Sequence, residues 1–377
     1  MINKSALYIH IPFCDHKCIY CDFYSIITSD NVNNYLSSLK KEIDFYSQIY
    51  STTHSFNTIY FGGGTPSLME PEYLGEIISY LKNKFKIETN SEVTMETNPG
   101  TVTKENFISF NKVGVNRISI GIQSFNEDEL KFLTRIHSSQ TAIDTVHNAK
   151  DAGYKNISID LIFNLPGQTR EKWLHNLNTV FTLPIKHISA YSLILERGTI
   201  LNKMVLDGKV ELEDDDHDAD LYEMTIDYIS NKGMKQYEVS NFCYAGFESV
   251  HNNAYWHYKD YLSFGTSAHS FMNGKRWSNL SSLKMYIDAI KKNENAVISI
   301  EEISKVEMEE EYVLLALRSR GLLLDEFRKK FGNDWFVRNE KLIDQLVQEK
   351  LLVKNNQIIF LTPKGFAVCD EILSRLI

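Results

Sequence analysis

No stretch of this chain approaches the ~18 apolar residues of a membrane-spanning helix, so no helical span is expected. An export signal is also missing: Met1-Ile2-Asn3-Lys4 leads into a short apolar stretch that holds His10 and Pro12 and lacks a small-residue cleavage site. Both absences point to the cytoplasm, where thiols stay reduced. A basic excess is absent too. Lys and Arg number 40 against 49 Asp and Glu, for a formal net charge of −9. That balance argues against nucleic acid as a partner, because phosphate binding needs clustered cations. There is no internal repeat and no low-complexity linker. Cysteine is scarce, with 5 in 377 residues, and Cys243 and Cys369 lie far from the rest and from each other.

The other three thiols are packed into eight residues, as Cys14-Asp15-His16-Lys17-Cys18-Ile19-Tyr20-Cys21. A disulfide would leave one over. Zinc needs a fourth ligand, which His10 or His16 could offer. An iron–sulfur cubane accepts three cysteines and leaves one iron open.

The first two hundred residues alternate strand and helix patterns. Strands are expected over 6–11, 56–61, 93–96, 117–122, 156–163 and 187–195. Helices are expected over 32–50, 71–85, 104–112, 127–133, 139–152 and 172–181. Such alternation implies an α/β protein with a parallel sheet and right-handed crossovers. An open doubly wound sheet and a barrel, complete or partial, both fit, and both bind ligands at the C-terminal strand ends. Cys14–Cys21, Gly62-Gly63-Gly64, Glu96, Gln123 and Asp160 all fall at such ends, which predicts one shared site.

After residue 195 the rhythm stops. The acidic run 211–220 reads as the charged start of a helix. Residues 235–271 read as short strands and loops rich in aromatics and histidine. From about 280 the pattern is helical, with a hairpin at 351–361 and a last helix over 364–377, which resembles a winged-helix unit.

C-x3-C-x2-C after a strand, with Tyr20 before the last cysteine, is the pattern of the radical S-adenosylmethionine superfamily, which this chain resembles over residues 5 to about 200. The resemblance implies a partial (β/α)6 barrel. It also implies a [4Fe–4S] cluster on Cys14, Cys18 and Cys21, whose open iron is chelated by S-adenosylmethionine and whose electron cleaves it to a 5′-deoxyadenosyl radical. A finer resemblance covers nearly the whole chain, through Tyr8-Ile9-His10-Ile11-Pro12-Phe13-Cys14, Phe61-Gly62-Gly63-Gly64-Thr65-Pro66, Glu96-Thr97-Asn98-Pro99 and Asp160-Leu161-Ile162-Phe163-Asn164-Leu165-Pro166-Gly167. It is to the oxygen-independent coproporphyrinogen dehydrogenase group. By that resemblance Tyr8, Tyr20, Gly63, Gly64, Thr65, Glu96, Gln123, Arg135 and Asp160 fall on S-adenosylmethionine positions.

One departure separates subgroups. The dehydrogenases carry a further cysteine two residues after the third, where this chain has Phe23, and they have a longer N-terminal extension. Cys21-Asp22-Phe23, His251-Asn252-Asn253-Ala254-Tyr255-Trp256 and Gly265-Thr266-Ser267-Ala268-His269-Ser270 instead resemble the HemW family of haem chaperones. Membership implies a chaperone rather than a decarboxylating enzyme. It binds the cluster, S-adenosylmethionine and haem, and passes haem to acceptors such as membrane respiratory enzymes. It also implies a peripheral position at the membrane during delivery, an electron donor and a homodimer. A flat macrocycle with an iron wants aromatic walls and an axial nitrogen. His251 with Tyr255 and Trp256, and His269, are the haem candidates. Three parts are expected: the radical barrel over 1–200, an α+β extension with the haem motif over 201–280, and a helical, winged-helix-like part over 281–377.

Overall fold

The computed structural model describes residues 3–28, 30–293 and 295–377. Its first half is β1 (Asn3–Ile11), α1 (Val32–Tyr50), β2 (His54–Gly63), α2 (Pro71–Lys84), β3 (Lys86–Thr97), α3 (Lys104–Lys112), β4 (Arg117–Gln123), α4 (Glu127–Phe132), α5 (Ser139–Asp151), β5 (Asn156–Phe163), α6 (Arg170–Val180) and β6 (His187–Ser192). Local chemistry sets several of the helix starts. Thr103, Ser138 and Thr169 each accept a hydrogen bond from a first-turn amide and so satisfy a donor the helix cannot.

β1 to β6 lie side by side in sequence order and all pair in parallel. A doubly wound sheet reverses its strand order part-way. This one does not, so every right-handed crossover falls on the same face and the sheet curls like part of a barrel. Side-chain alternation shows the result. Leu7, Ile9, Ile59, Phe61, Val93, Met95, Ile118, Ile120, Ile157, Ile159 and Ile188 point one way and are buried with the apolar stripes of the helices. Each such side chain contributes about 1.5–3 kcal/mol. The alternate positions carry Tyr8, Tyr60, Glu96, Arg117, Ser119, Asp160 and Ser189 on the inner face. An inner face this polar is built to hold something.

The sheet does not end where the βα rhythm does. Among the described residues it has twelve strands. After α7 (Ile200–Leu206) and α8 (Asp215–Asn231), β7 (Lys235–Glu238) and β8 (Asn241–Cys243) extend the β6 edge. Asp214 caps α8, with three more acids in its first turn, so the acidic run is a helix start. Then come α9 (Val250–Trp256), β9 (Tyr261–Phe264), β10 (His269–Met272), β11 (Lys275–Asn279), α10 (Leu283–Asn293) and β12 (Val297–Glu302). β9 pairs in parallel with β1, and β10, β11 and β12 continue that edge antiparallel.

Two local expectations give way here. The 235–271 stretch contains the helix α9, and the region after 280 contains β12. α9 forms because Ser249 caps it and Glu92, far away on β3, accepts from the amides of Val250 and His251. Neither partner is visible as a periodicity in seven residues.

The C-terminal part is α11 (Lys305–Leu317), β13 (Leu322–Leu323), α12 (Leu324–Phe331), α13 (Asp334–Gln348), β14 (Leu352–Lys354), β15 (Ile358–Leu361), α14 (Pro363–Ala367) and α15 (Cys369–Leu376). It has a hydrophobic core of its own, around Phe327, Trp335, Leu346 and Ile372. The hairpin at 351–361 is present. The last helix is broken at Val368 into α14 and α15. No helix among the described residues is long and apolar enough to cross a membrane.

Candidate cofactor site

The cysteine loop leaves β1 at Pro12 and is pinched at its neck. Ile26 N donates to Pro12 O at 2.8 Å and Cys14 N to Ile26 O at 3.0 Å. Phe13 packs edge-on against the buried Tyr35 ring, 5.7 Å between centroids. The next strand end holds the loop from the side. Gly64 N donates to Ile11 O and Thr65 N to Phe13 O, both at 2.7 Å. A Cβ on Gly64 would lie 2.5 Å from Phe13 O, and one on Gly63, at φ +111°, would strike the His10 ring at 2.7 Å. Gly64 is there so that two backbones can touch, and Gly63 so that the His10 ring can lie against the turn. Further round the loop, Ile19 N donates to Thr134 Oγ1 at 3.2 Å, and Tyr20 packs with Leu133, Ile162 and Leu165.

Cys14, Cys18 and Cys21 are half-exposed and face a cavity of about 380 Å³ over the C-terminal strand ends. Polar residues link two of them across the sheet. Thr65 Oγ1 is 3.2 Å from Cys14 Sγ and accepts from Asn98 Nδ2 at 2.9 Å, which leaves its own proton for the sulfur. Asn98 Oδ1 accepts from Arg135 Nη2 at 2.7 Å, and Arg135 Nη1 donates to Cys18 Sγ at 3.6 Å. The guanidinium also donates to Gly121 O at 2.6 Å. Donors aimed at two of three thiolates suit a cluster, whose potential such bonds tune. No group of three or more His, Cys, Asp or Glu among the described residues converges on a single ion. Three thiols on one loop that face one cavity, two of them with hydrogen-bond donors on the sulfur, are the donor set that three corners of a cubane require.

The floor of the cavity is acidic. Glu96 accepts from Tyr60 OH at 2.8 Å and Gly63 N at 3.2 Å. Burial pushes its carboxyl up to about 7, against the pull of those donors. Asp160 accepts from Ser119 Oγ at 3.2 Å and is raised in the same way. Gln123 closes β4 at φ +71°, an uncommon conformation for a side-chain-bearing residue, beside a register shift between Gly121 and Gln123. Carboxylates for an ammonium or ribose, and a guanidinium for a carboxylate, are the donor and acceptor set an aminoacyl nucleoside requires.

The cavity therefore gathers Cys14, Cys18, Cys21, Tyr20, Gly63, Gly64, Thr65, Glu96, Gln123, Arg135 and Asp160 on one rim. Tyr8 stands apart: it lies under Tyr60, 6.0 Å between ring centroids, and lines a second cavity. Among the residues the sequence did not single out are Tyr60, Asn98, Arg117 and Tyr191, which also line the first cavity. The inward alternation along each strand was the signal that could have found three of them.

The haem candidates fall elsewhere. His251 is 1% exposed. Its Nδ1 pairs with Thr58 Oγ1 and its Nε2 with Tyr255 OH, both at 2.8 Å, and the ring stacks on Tyr60 at 4.7 Å. Burial holds its proton affinity down to about 3. With both nitrogens engaged, the ring has none free for an iron in this conformation. Tyr255 and His269 line the second cavity; Trp256 ends α9. Cys243 is buried on β8, its thiol pushed up to about 12.

Comparison with known proteins fits this geometry. Residues 8–180 match the Radical SAM superfamily, and residues 303–368 match the HemN C-terminal domain. The chain is 35% identical over its whole length, and 98% of the relative's, to "Heme chaperone HemW" of Lactococcus lactis subsp. lactis. It is 34% identical over 99% of both chains to "Heme chaperone HemW" of Bacillus subtilis. Its fold is similar to that of coproporphyrinogen III oxidase (HemN) from Escherichia coli, with a TM-score of 0.85 at 21% identity, covering 100% of this chain and 90% of that one.

Proposed function

Because this chain belongs to the HemW family, we propose that it is a haem chaperone, which holds haem and hands it to acceptor haem proteins. The observation that carries this reading is full-length identity to relatives of that name. A [4Fe–4S] cluster on Cys14, Cys18 and Cys21 and S-adenosylmethionine beside it are the resident cofactors; together, when bound, they supply one-electron chemistry at the sulfonium.

This chain's own residues do the rest. Glu96 and Asp160 offer carboxylates to the amino group and the ribose. Arg135 offers its guanidinium to the carboxylate and, with Thr65, donates to the cluster sulfurs. Gly63 and Gly64 bring the cysteine loop against the end of β2, and Gly63 N donates to Glu96. Acceptors include membrane-bound respiratory enzymes, reached peripherally, and an electron donor and a second copy of the chain complete the working assembly.

The related oxidative decarboxylation is disfavoured by Phe23, which stands where a further cysteine would be. An anaerobic experiment separates the two. The reconstituted protein is expected to bind haem and transfer it to an apo-acceptor, and to leave coproporphyrinogen unchanged. Protoporphyrinogen formation would sink the chaperone reading. In the same preparation Cys18→Ala is expected to lose the brown cluster chromophore; full absorbance and iron content would contradict the ligand assignment.

A further inference from the structure

Behind the cysteine loop lies a second cavity of about 520 Å³. Tyr8 and His10 of β1, Tyr24 of the loop, Tyr255 of α9 and His269 of β10 line it, and Phe23 separates it from the first cavity by lining both. Phe23 is 62% exposed, so its ring is open to contact from either cavity. The walls are aromatic on several sides, as a flat apolar macrocycle requires.

The histidines here are not equivalent. His10 Nε2 donates to Tyr24 O at 2.9 Å and its Nδ1 faces Tyr8 OH at 3.3 Å, so both nitrogens are in use. His251 spends both on Thr58 and Tyr255. His269 is exposed, and its ring makes no hydrogen bond among the described residues. A tight reversal aims it. Gly265 has φ +100° and lies against Tyr35 OH and His10 O, where a Cβ would be 2.6 and 2.8 Å away, and Ser267 follows at φ +58°.

We propose that this second cavity seats haem, with His269 as its axial ligand and His251 as a positioning residue that fixes Tyr255 in the wall. The proposal rests on the haem-chaperone reading and adds where the haem sits and which nitrogen holds it. Iron gains one bond, from a neutral imidazole nitrogen, and no electron moves. The residues Asp22 and Phe23 are then shared between haem on one side and the cluster on the other, so that the two are coupled through one short loop.

The test is a haemin titration of the full-length, cluster-reconstituted protein, followed by Soret absorption and electron paramagnetic resonance. The unaltered chain is expected to give a nitrogen-ligated haem spectrum. His269→Ala should lose that signature and bind haem at least about tenfold more weakly. His269→Met should recover binding with a displaced spectrum. Tyr255→Phe keeps the wall but removes the bond to His251; it should weaken binding a few-fold and keep the nitrogen ligand. An unaltered spectrum and affinity in His269→Ala, or loss of the nitrogen ligand in Tyr255→Phe, overturns this site. Absence of haem binding by the unaltered chain overturns the chaperone reading itself.

Discussion

Glu96 is the residue on which the cofactor cavity's pH response turns. Its ordinary carboxyl would be ionised throughout the physiological range. Burial pushes it up to about 7. A ligand amino group donates best to the ionised carboxylate, so binding is strong above that value and weakens as the pH falls through it. S-adenosylmethionine affinity, measured by calorimetry on the cluster-loaded protein, is expected to drop between pH 8 and 6 with a slope approaching tenfold per unit below about 7. Glu96→Gln should flatten that profile and bind more weakly at pH 8. A flat profile in the unaltered chain would remove Glu96 from the ligand's amino group. The residue scale is also where the sequence was most legible. Cys14, Cys18 and Cys21 could be read directly as one candidate ligand set, because they lie within eight consecutive residues. His251 could not, because its partners Thr58 and Tyr255 meet it only after folding.

At the scale of elements, the chain uses strand ends as platforms and turns as aiming devices. The reversal between β9 and β10 is the clearest case. It brings Gly265 N within 2.8 Å of the buried Glu42 carboxylate, which also accepts from Asn279 and Tyr286 OH. Gly265→Ala would place a Cβ against Tyr35 and His10 while forcing φ +100° on an L side chain. A loss of about 1–3 kcal/mol is expected, read as a lower denaturation midpoint. An unchanged midpoint would show that the turn can relax. Helix α9 teaches a related lesson. Its sequence, Val250-His251-Asn252-Asn253-Ala254-Tyr255-Trp256, is too short to display a helical period. What makes it helical is capping by Ser249 and by Glu92 from another element.

At the scale of the whole molecule, one twelve-stranded sheet carries both cavities, and the C-terminal part keeps a separate core. Trp335 is 1% exposed in that second core and donates to Leu376 O at 3.0 Å. Trp335→Ala is expected to destabilise it by about 3–5 kcal/mol. Cluster iron content should stay unchanged, because no cluster ligand depends on that core. Loss of the cluster on this substitution would show that the two cores fold as one unit.

The sequence alone determined the α/β alternation, the places of the first six strands and the clustering of three thiols after the first of them, although β6 ends at Ser192 and not at 195. Each is a local property, set by periodicity of two or 3.6 residues or by ligands close in the chain. It left the sheet's curl undecided, since a doubly wound sheet and a barrel share the same local pattern. Only the tertiary structure settled that, through strands paired in sequence order. It also decided which histidine is free. A ring's availability depends on what lies against it in space, and Thr58 reaches His251 across 193 residues of chain.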